Sequence, residues 1–328
     1  MQRHFKISSM NKKFYSKKEI VNAIEGIDLI GIIETGFIEY SKGNSVVPPV
    51  GELLFTDPPG DVHIKYGYIK GYDNYVVKIA SGFSENNKIG LSPSHGVMIM
   101  FDSRSGYLKC LLHDEGHLTN VRTAVAGSIC AKYLAPEKVT KIGIIGTGIQ
   151  ARLQLQYLKY STRCLDVMVL GRDGKKINDY INVMRKQGFN LEVAKDSKQL
   201  CESCNLVVTA TSANESLIKK SDVKPGTHIT AVGSDTPEKR ELDSNILGLA
   251  NIVVVDSVSQ SVERGETKYA LDKNIINRSD LVELGDIIMK KNNGGRSSEN
   301  DITVADLTGV AVQDIMITNK VYNNLNQL

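Results

Sequence analysis

The apolar residues in the second half of the chain fall into short runs, and the polar stretches between them are long enough to form helices. Ile142, Ile144 and Ile145 make a β-branched run flanked by glycines, which predicts a buried parallel strand. Four similar runs follow at Val167–Leu170, Leu206–Thr209, His228–Val232 and Ile252–Val255. Strands that alternate with helices predict an α/β domain built on a parallel sheet.

A glycine-rich turn follows the first of these runs. Residues 146–151 read Gly-Thr-Gly-Ile-Gln-Ala, so a Gly-x-Gly-x-x-Ala pattern joins the strand to a predicted helix. The glycines permit a tight turn and a close approach of the backbone to a pyrophosphate, and Ala151 permits close packing of helix on strand. N–H groups at the start of the helix would face the phosphates. The turn and the strand series together predict a Rossmann-type dinucleotide-binding domain.

The first half of the chain has a different pattern. Two helical patterns occupy residues 17–43, and short β-like runs follow between Ser45 and Leu112. Several of these runs, at 52–56, 62–68, 75–80, 97–101 and 107–112, alternate apolar and polar residues. Alternation predicts half-buried strands, so we expect a largely antiparallel or mixed sheet. Its second face or an edge would suit pairing with a second subunit.

A helix is predicted to begin at Thr119 and to run to Leu134, leading into the first parallel strand. Arg122 then lies in the first turn, where a cation opposes the helix dipole, so we interpret it as a carboxylate ligand rather than a surface arginine. The tail after Asp301 starts like a strand and continues as a helix that returns to the first domain. We therefore predict an α+β substrate-binding domain at 1–122, completed by 305–328, and a Rossmann domain at 123–304.

Composition and charge indicate which partners and which cellular location to expect. The 328 residues are 41% hydrophobic and 23% charged, which suits a soluble chain of two domains. The net charge of +3 is too balanced to favour nucleic acid or an anionic membrane, and we expect neither as a partner. Five cysteines, and basic residues 1–7 without an apolar segment after them, predict reduced thiols and a cytoplasmic location. Cys201 and Cys204 lack a second ligand pair, so we expect no metal site.

Polar residues follow two of the predicted parallel strands. Arg172 and Asp173 end the second strand, where an acidic residue binds the ribose of NAD and an arginine suits the phosphate of NADP. Both types are present, so the cofactor choice stays open. Asp235 follows His228–Val232 at the carboxyl end of the sheet, where α/β folds bind ligands. It is either a functional carboxylate or the cap of the next turn.

Five separated segments resemble the ornithine cyclodeaminase/mu-crystallin family in order and spacing, over the chain from about Tyr15 to Tyr322. They are Lys78 in the strand before Gly82, Leu118–Ala124, Gly146–Ala151, Val232–Asp235 with Glu241-Leu242, and Asp306–Asp314. The resemblance implies a homodimeric enzyme of amino-acid metabolism whose Rossmann domain binds NAD(H) or NADP(H). It also implies hydride exchange at the Cα of an amino acid or imino acid.

The resemblance implies roles for individual residues. Arg122 corresponds to the family's carboxylate-binding arginine, Lys78 to its active-site lysine, and Asp235 to the aspartate that cyclodeaminases use as acid and base. The implied cofactor contacts are Gly146, Thr147, Gly148, Ile149, Gln150, Ala151, Thr123, Arg172, Val232 and Gly233.

The sequence departs from the family pattern at one place. Many members have Pro-x-Arg to hold the substrate carboxylate, whereas this chain has Pro49-Val50-Gly51, so His63 or Lys65 is expected to supply the charge. Ser94-His95, in addition, resembles the reductase branch. We expect a cyclodeaminase of the ornithine-to-proline type, with a ketimine or imino-acid reductase or an amino-acid dehydrogenase as the alternative. A crystallin-like binding protein without turnover is the alternative from another class.

Overall fold

The computed structural model describes residues 13–290 and 295–326, so the basic segment at 1–7 lies outside the described residues. Contacts divide the chain into two units. The first contains Met1–Asp28, Asn44–Thr119 and Ala311–Leu328, and the second contains Leu29–Gly43 and Asn120–Val310. Each unit is built around one sheet.

The first unit contains a seven-stranded mixed sheet, as the alternating pattern predicted. Its strands are β1 (Lys13–Ser16), β2 (Ser45–Val46), β3 (Gly51–Thr56), β4 (Pro59–Ile69), β5 (Asn74–Gly82), β6 (Ser94–Asp102) and β7 (Leu108–His113). Their order is β1-β7-β6-β5-β4-β2, with β3 also paired to β4. Only β1 and β7 are parallel among these pairs. Helices α1 (Lys17–Ile24) and α10 (Ala311–Leu325) contact each other, and α10 packs on β4 and β5.

The second unit contains an eight-stranded parallel sheet. Its strands are β8 (Ile142–Ile145), β9 (Asp166–Leu170), β10 (Asn190–Val193), β11 (Leu206–Thr209), β12 (His228–Ala231), β13 (Ile252–Val255), β14 (Leu281–Glu283) and β15 (Thr303–Asp306). Its order is β10-β9-β8-β11-β12-β15-β13-β14. The helices are α2 (Leu29–Ser41), α3 (His117–Leu134, whose first turn belongs to the first unit), α4 (Ile149–Leu158), α5 (Gly174–Arg185), α6 (Ser197–Ser203), α7 (Val258–Ser261), α8 (Gly265–Asp272) and α9 (Leu284–Lys290).

Successive strand residues of this parallel sheet enter different apolar clusters. Ile144 and Val208 belong to one cluster, and Ile145 and Val207 belong to the other. Because neighbouring residues of a strand point to opposite faces, both faces of the sheet are covered. The predicted α/β class, with a Rossmann-type sheet and a second α+β region, is confirmed.

The contact units differ from the predicted domain limits in three segments, the shortest of which is residues 120–122, grouped with the second unit. Residues 29–43 group with the second unit because α2 packs against α9. Residues 305–310 also group there, because β15 pairs with β12 on one side and β13 on the other. The chain enters the first unit again only at α10.

Candidate functional site

The glycine-rich turn in the second unit has the shape that a dinucleotide needs. Gly146 has a φ of 122°, and a Cβ there would lie 2.5 Å from the carbonyl oxygen of Ala210. Gly148 is the N-cap of α4, and a Cβ there would meet no atom within 4 Å. Ala151 is fully buried. The turn therefore lies at the central β8–β11 pair, where the strand order reverses, and leaves open space before α4 for a pyrophosphate.

Helix α4 is held by α3 through glutamine side chains. A Cβ on Gly127 would lie 1.9 Å from Oε1 of Gln154, so the helices meet at a glycine. The Gln154 amide donates to the carbonyl of Thr123 at 3.0 Å, and the Gln150 amide donates to Asn120 at 3.1 Å. Two of the predicted cofactor contacts, Gln150 and Thr123, therefore also hold the two helices together, which keeps the turn in place.

A buried glutamate organises the loop that follows β12. The Glu241 carboxylate accepts from the N–H and hydroxyl of Thr211 at 2.6 and 2.7 Å, from the Thr209 hydroxyl at 2.7 Å and from the Gly233 N–H at 2.9 Å. A Cβ on Gly233 would lie 2.2 Å from the carbonyl oxygen of Thr211, so only glycine fits. Val232, next to it, is buried. The contacts of Glu241 fix the ends of β11 and β12 side by side.

Asp235 lies on the same loop with its side chain 45% exposed. Its carboxylate pairs with Lys239 at 2.7 Å, four residues further along the loop. Arg264 donates to the Asp235 main-chain carbonyl at 3.4 Å. Asp235 is therefore held at both its carboxylate and its main chain while its side chain stays half-exposed.

Two further carboxyls lie buried beneath this loop, and sequence reasoning missed them. Glu266 accepts from the N–H groups of Glu241 and Leu242 at 2.6 and 3.0 Å, and Asp306 accepts from the N–H and hydroxyl of Thr267 at 2.8 and 2.9 Å. Burial raises the pKa of Glu266 to about 8, and burial raises the pKa of Asp306 to about 7. Their contacts come from neutral groups, which no local sequence pattern signals.

Two lysines lie among apolar residues on the buried face of the first unit's sheet. Lys65 on β4 is the direct cross-strand partner of Lys78 on β5, and both are buried, with Lys78 only 2% exposed. Helix α10 contributes Asp314, whose carboxylate is 3.3 Å from the Lys78 ammonium, an ion-pair distance rather than a short hydrogen bond. Two of the predicted substrate-binding residues are therefore neighbours on one face.

His63 is on the same face, two residues before Lys65, but acidic side chains surround its ring. Its Nε2 is 2.7 Å from Glu52, its cross-strand partner on β3, and its Nδ1 is 3.5 Å from Asp61. The ring serves to bridge two carboxylates. His95, in the Ser94-His95 pair that resembles reductases, is exposed at the start of β6.

The helix that carries Arg122 begins earlier than predicted, so Arg122 is in its second turn. Helix α3 starts at His117 rather than after Thr119. The Asp114 carboxylate accepts from the Leu118 N–H at 2.7 Å, and Gly116 makes the turn with a φ of 79°. The cap is therefore Asp114, whose pKa burial raises. Arg122 is 4% exposed, so the alternative of a surface arginine is wrong.

The cysteines and acidic residues of the described part show no metal chemistry. No group of three His, Cys, Asp or Glu side chains within residues 13–290 and 295–326 has the geometry to hold an ion. All five cysteines are free thiols, and burial raises the pKa of Cys201 and Cys204 to about 12. In that same part of the chain, no helix is both long and apolar enough to cross a bilayer.

The turn, the sheet order and the buried cations define a class: a two-unit α/β protein with a Rossmann-type glycine turn in one unit and buried lysines on the sheet of the other. A family model described as the ornithine cyclodeaminase/mu-crystallin family matches residues 10–328. The chain belongs to this family, as its five segments indicated.

Known relatives agree with this assignment. An uncharacterized cyclodeaminase of Sinorhizobium fredii is 36% identical over 89% of this chain and 88% of its own length. The Δ1-pyrroline-2-carboxylate reductase of Thermococcus litoralis, solved with NADH and L-proline, has a TM-score of 0.90 and 25% identity over 96% of this chain and 97% of that one. An archaeal alanine dehydrogenase dimer with bound NAD has a TM-score of 0.88 and 28% identity over 96% of both chains. The predicted enzyme class and nicotinamide cofactor are in accord with these proteins.

Proposed function

We propose that the protein is an NAD(P)-dependent cyclodeaminase, which converts an α,ω-diamino acid such as ornithine into a cyclic amino acid with loss of ammonia. The observation that carries this proposal is the pair of buried lysines, Lys65 and Lys78, on neighbouring strands. The α-carboxylate is the anion common to all amino-acid substrates. Two neighbouring ammonium groups, with Asp314 beside Lys78, give this face the positive charge that suits a carboxylate.

The lysine pair can supply the positive charge of the arginine that this chain lacks. Cross-strand partners have Cβ atoms roughly 4.5–5.5 Å apart, so one carboxylate can contact both ammonium groups. Lys65 is the better substitute for the missing charge at Gly51, because His63 already bridges Glu52 and Asp61. Arg122, which is buried and permanently charged, is proposed separately as the carboxylate-binding arginine that the family resemblance implies.

Asp235 is proposed as the group that exchanges protons with the substrate amines. Its carboxylate is half-exposed and already accepts an ammonium, that of Lys239, which suits a base and a ligand for a distal ammonium. Glu241 fixes the strand ends on either side of this loop, so Asp235 starts from a rigid frame.

The open turn at Gly146 and Gly148 fits a nicotinamide dinucleotide. When bound, that cofactor supplies reversible hydride exchange at Cα. The protein's part is to hold the carboxylate so that Cα has one orientation, and to move protons at Asp235. With the hydride of Cα held by the cofactor, the α-amine would become an imine that the side-chain amine could attack with loss of ammonia, and return of the same hydride would leave the reaction redox-neutral.

The test uses L-ornithine deuterated at Cα, with NAD⁺ or NADP⁺ present in catalytic amounts. We expect proline that retains deuterium, one ammonia per proline, and no net change in absorbance at 340 nm. L-lysine is the matched substrate, longer by one methylene. Steady accumulation of reduced cofactor would instead indicate a dehydrogenase and would rule out the cyclodeaminase proposal.

The second candidate is an imino-acid reductase or amino-acid dehydrogenase of the same family. It is favoured by Ser94-His95, whose histidine is exposed and available to a substrate. Oxidation of NADH or NADPH by Δ1-pyrroline-2-carboxylate, without ammonia release, would support it. Binding of cofactor with no turnover of either substrate class would instead support the remaining alternative, a crystallin-like binding protein without catalytic activity.

We also propose a homodimer formed through the outer face of the first sheet. Apolar side chains are exposed there, including Leu53 at 54%, Phe55 at 44% and Tyr66 at 40%. An exposed face of this kind marks a protein interface. Light scattering should give twice the chain mass, and Leu53→Glu with Phe55→Glu should give the monomer. A wild-type monomer at micromolar concentration would contradict the proposal.

A further inference from the structure

We propose that the cofactor site is built for NADP(H), and that Arg172 selects it by binding the 2′-phosphate of the adenosine ribose. This inference rests on the dinucleotide site of the proposed function, but not on the amino-acid substrate. The sequence alone left the choice open because Arg172 and Asp173 stand side by side after β9. A side chain at Gly171 would be crowded, Asp173 caps α5, and Arg172 is exposed. These three observations favour binding of the 2′-phosphate over binding of a free ribose hydroxyl.

Gly171 occupies the place where NAD-binding folds present an acidic side chain, directly after the second strand of the Rossmann order. The strand end is held against the turn, since the Gly146 N–H donates to the Leu170 carbonyl at 2.8 Å. A Cβ on Gly171 would lie 2.9 Å from Cγ2 of Thr147 and 3.1 Å from Cγ1 of Ile177. A side chain at this position would displace the turn residue Thr147, so the chain offers no carboxylate here.

The Asp173 carboxylate is already used as a helix cap. It is the N-cap of α5, and its Oδ1 accepts from the N–H groups of Lys175 and Lys176 at 2.8 and 3.2 Å. An N-cap carboxylate satisfies N–H groups that have no other partner and interacts with the helix dipole. Turning the side chain towards a ribose would uncap the helix, at a cost of about 1 kcal/mol.

Arg172 is exposed at the end of β9 and has neither an ion pair nor a side-chain hydrogen bond within the described residues. Lys175 and Lys176 follow it, both exposed, so residues 171–176 contain three cations and one carboxylate. A ribose with two free hydroxyls gains little from this excess charge. A phosphate monoester matches it in charge, and the planar guanidinium matches it in geometry.

The test measures binding without turnover. The protein is titrated with NADPH and with NADH in the absence of substrate, by nicotinamide fluorescence and by calorimetry. We expect NADPH to bind at least about tenfold more tightly, since a charge-assisted hydrogen bond contributes roughly 1.5–3 kcal/mol. The difference should shrink as salt is raised, because the site is exposed.

Variants then separate the two neighbouring residues. Arg172→Ala should weaken NADPH binding by about 10- to 100-fold and change NADH binding less than about twofold. Arg172→Lys should give an NADPH affinity between those of the wild type and of Arg172→Ala. Lys186→Ala, at the far end of α5, should change the affinity for neither dinucleotide. NADH binding as tight as NADPH binding, or weakened NADH binding in Asp173→Asn with no effect of Arg172→Ala, overturns the inference. Failure to bind either dinucleotide overturns the proposed function as well.

Discussion

The sheet of the first unit buries cations, whereas the sheet of the second unit buries carboxyls. Lys65 and Lys78 lie in the middle of mostly antiparallel strands, where neighbouring strands already use the main-chain N–H and C=O groups. Glu241, Glu266 and Asp306 lie at or beyond the ends of parallel strands. There the chain turns away from the ladder and its N–H groups are available as donors.

This difference indicates which buried charges are structural. Glu241 accepts from two main-chain N–H groups and two hydroxyls, so its contacts are complete within the protein. The lysines must be matched by side chains such as Asp314 or by a ligand. We therefore expect changes at the lysines to affect substrate handling, and changes at the carboxyls to affect stability.

The largest effect is expected for Lys78→Met. Without the buried ammonium the carboxylate loses a ligand that fixes Cα, so kcat/KM should fall by at least about 10²- to 10³-fold. Affinity for NADPH should be little changed, whereas the Tm should fall, because the buried Asp314 carboxylate loses the ammonium that it pairs with. The control is the exposed Lys88→Met. A variant that keeps its turnover would show that Lys78 is only structural.

Glu241→Gln should act mainly on stability rather than on turnover. The amide would direct an NH₂ group at N–H donors, so the free energy of unfolding should fall by roughly 2–4 kcal/mol. Urea unfolding measures this, with the exposed Glu192→Gln as the control, expected within about 0.5 kcal/mol of wild type. Unchanged stability with abolished turnover would show that Glu241 takes part in the reaction rather than in stabilising the loop.

A smaller effect should distinguish Lys65 from His63. Lys65→Met should raise KM for the amino acid by about 10- to 100-fold, the range of one charge-assisted hydrogen bond. His63→Gln should change KM by less, since its ring already bridges Glu52 and Asp61. Steady-state kinetics with the same substrate measures both. The reverse order would assign the missing positive charge to His63.

The smallest expected effect is a slope of stability with pH. Burial raises the pKa of Glu266 from 4.5 to about 8 and that of Asp306 from 3.8 to about 7. The folded chain thus keeps these protons at pH values where the unfolded chain has lost them, so their contribution to stability is complete below the unfolded pKa values and is lost as pH rises to the folded values of about 7 and 8. The Tm should fall between about pH 4.5 and pH 8, and Asp306→Asn, which imitates the protonated acid, should flatten that fall. An equal slope in the variant would contradict the shift at Asp306.

Much of the fold was predictable from local patterns. The runs at 142–145, 206–209 and 252–255 are strands because β-branched residues buried on both faces have few other options. Edge strands were harder. Residues 190–193 form β10 with a single buried position, and an edge strand with one covered face leaves little pattern to detect.

The candidate site was predictable where one motif acts alone. The turn at 146–151 has its chemistry in its own backbone, so spacing was sufficient to predict its form. The start of α3 was missed because its cap, Asp114, precedes a glycine turn that the helical pattern does not include.

The sequence by itself determined the five buried strands from 142–145 to 252–255, the glycine turn and the family, because each depends on residues close together in the chain. Only the tertiary structure decided that Lys65 faces Lys78 and that Asp173 caps α5 while Arg172 stays exposed. The reason is physical. A one-residue change in strand register would turn Lys65 to the other face, and the register of this hairpin depends on the geometry of its turn at residues 70–73 and on the face that packs against α10.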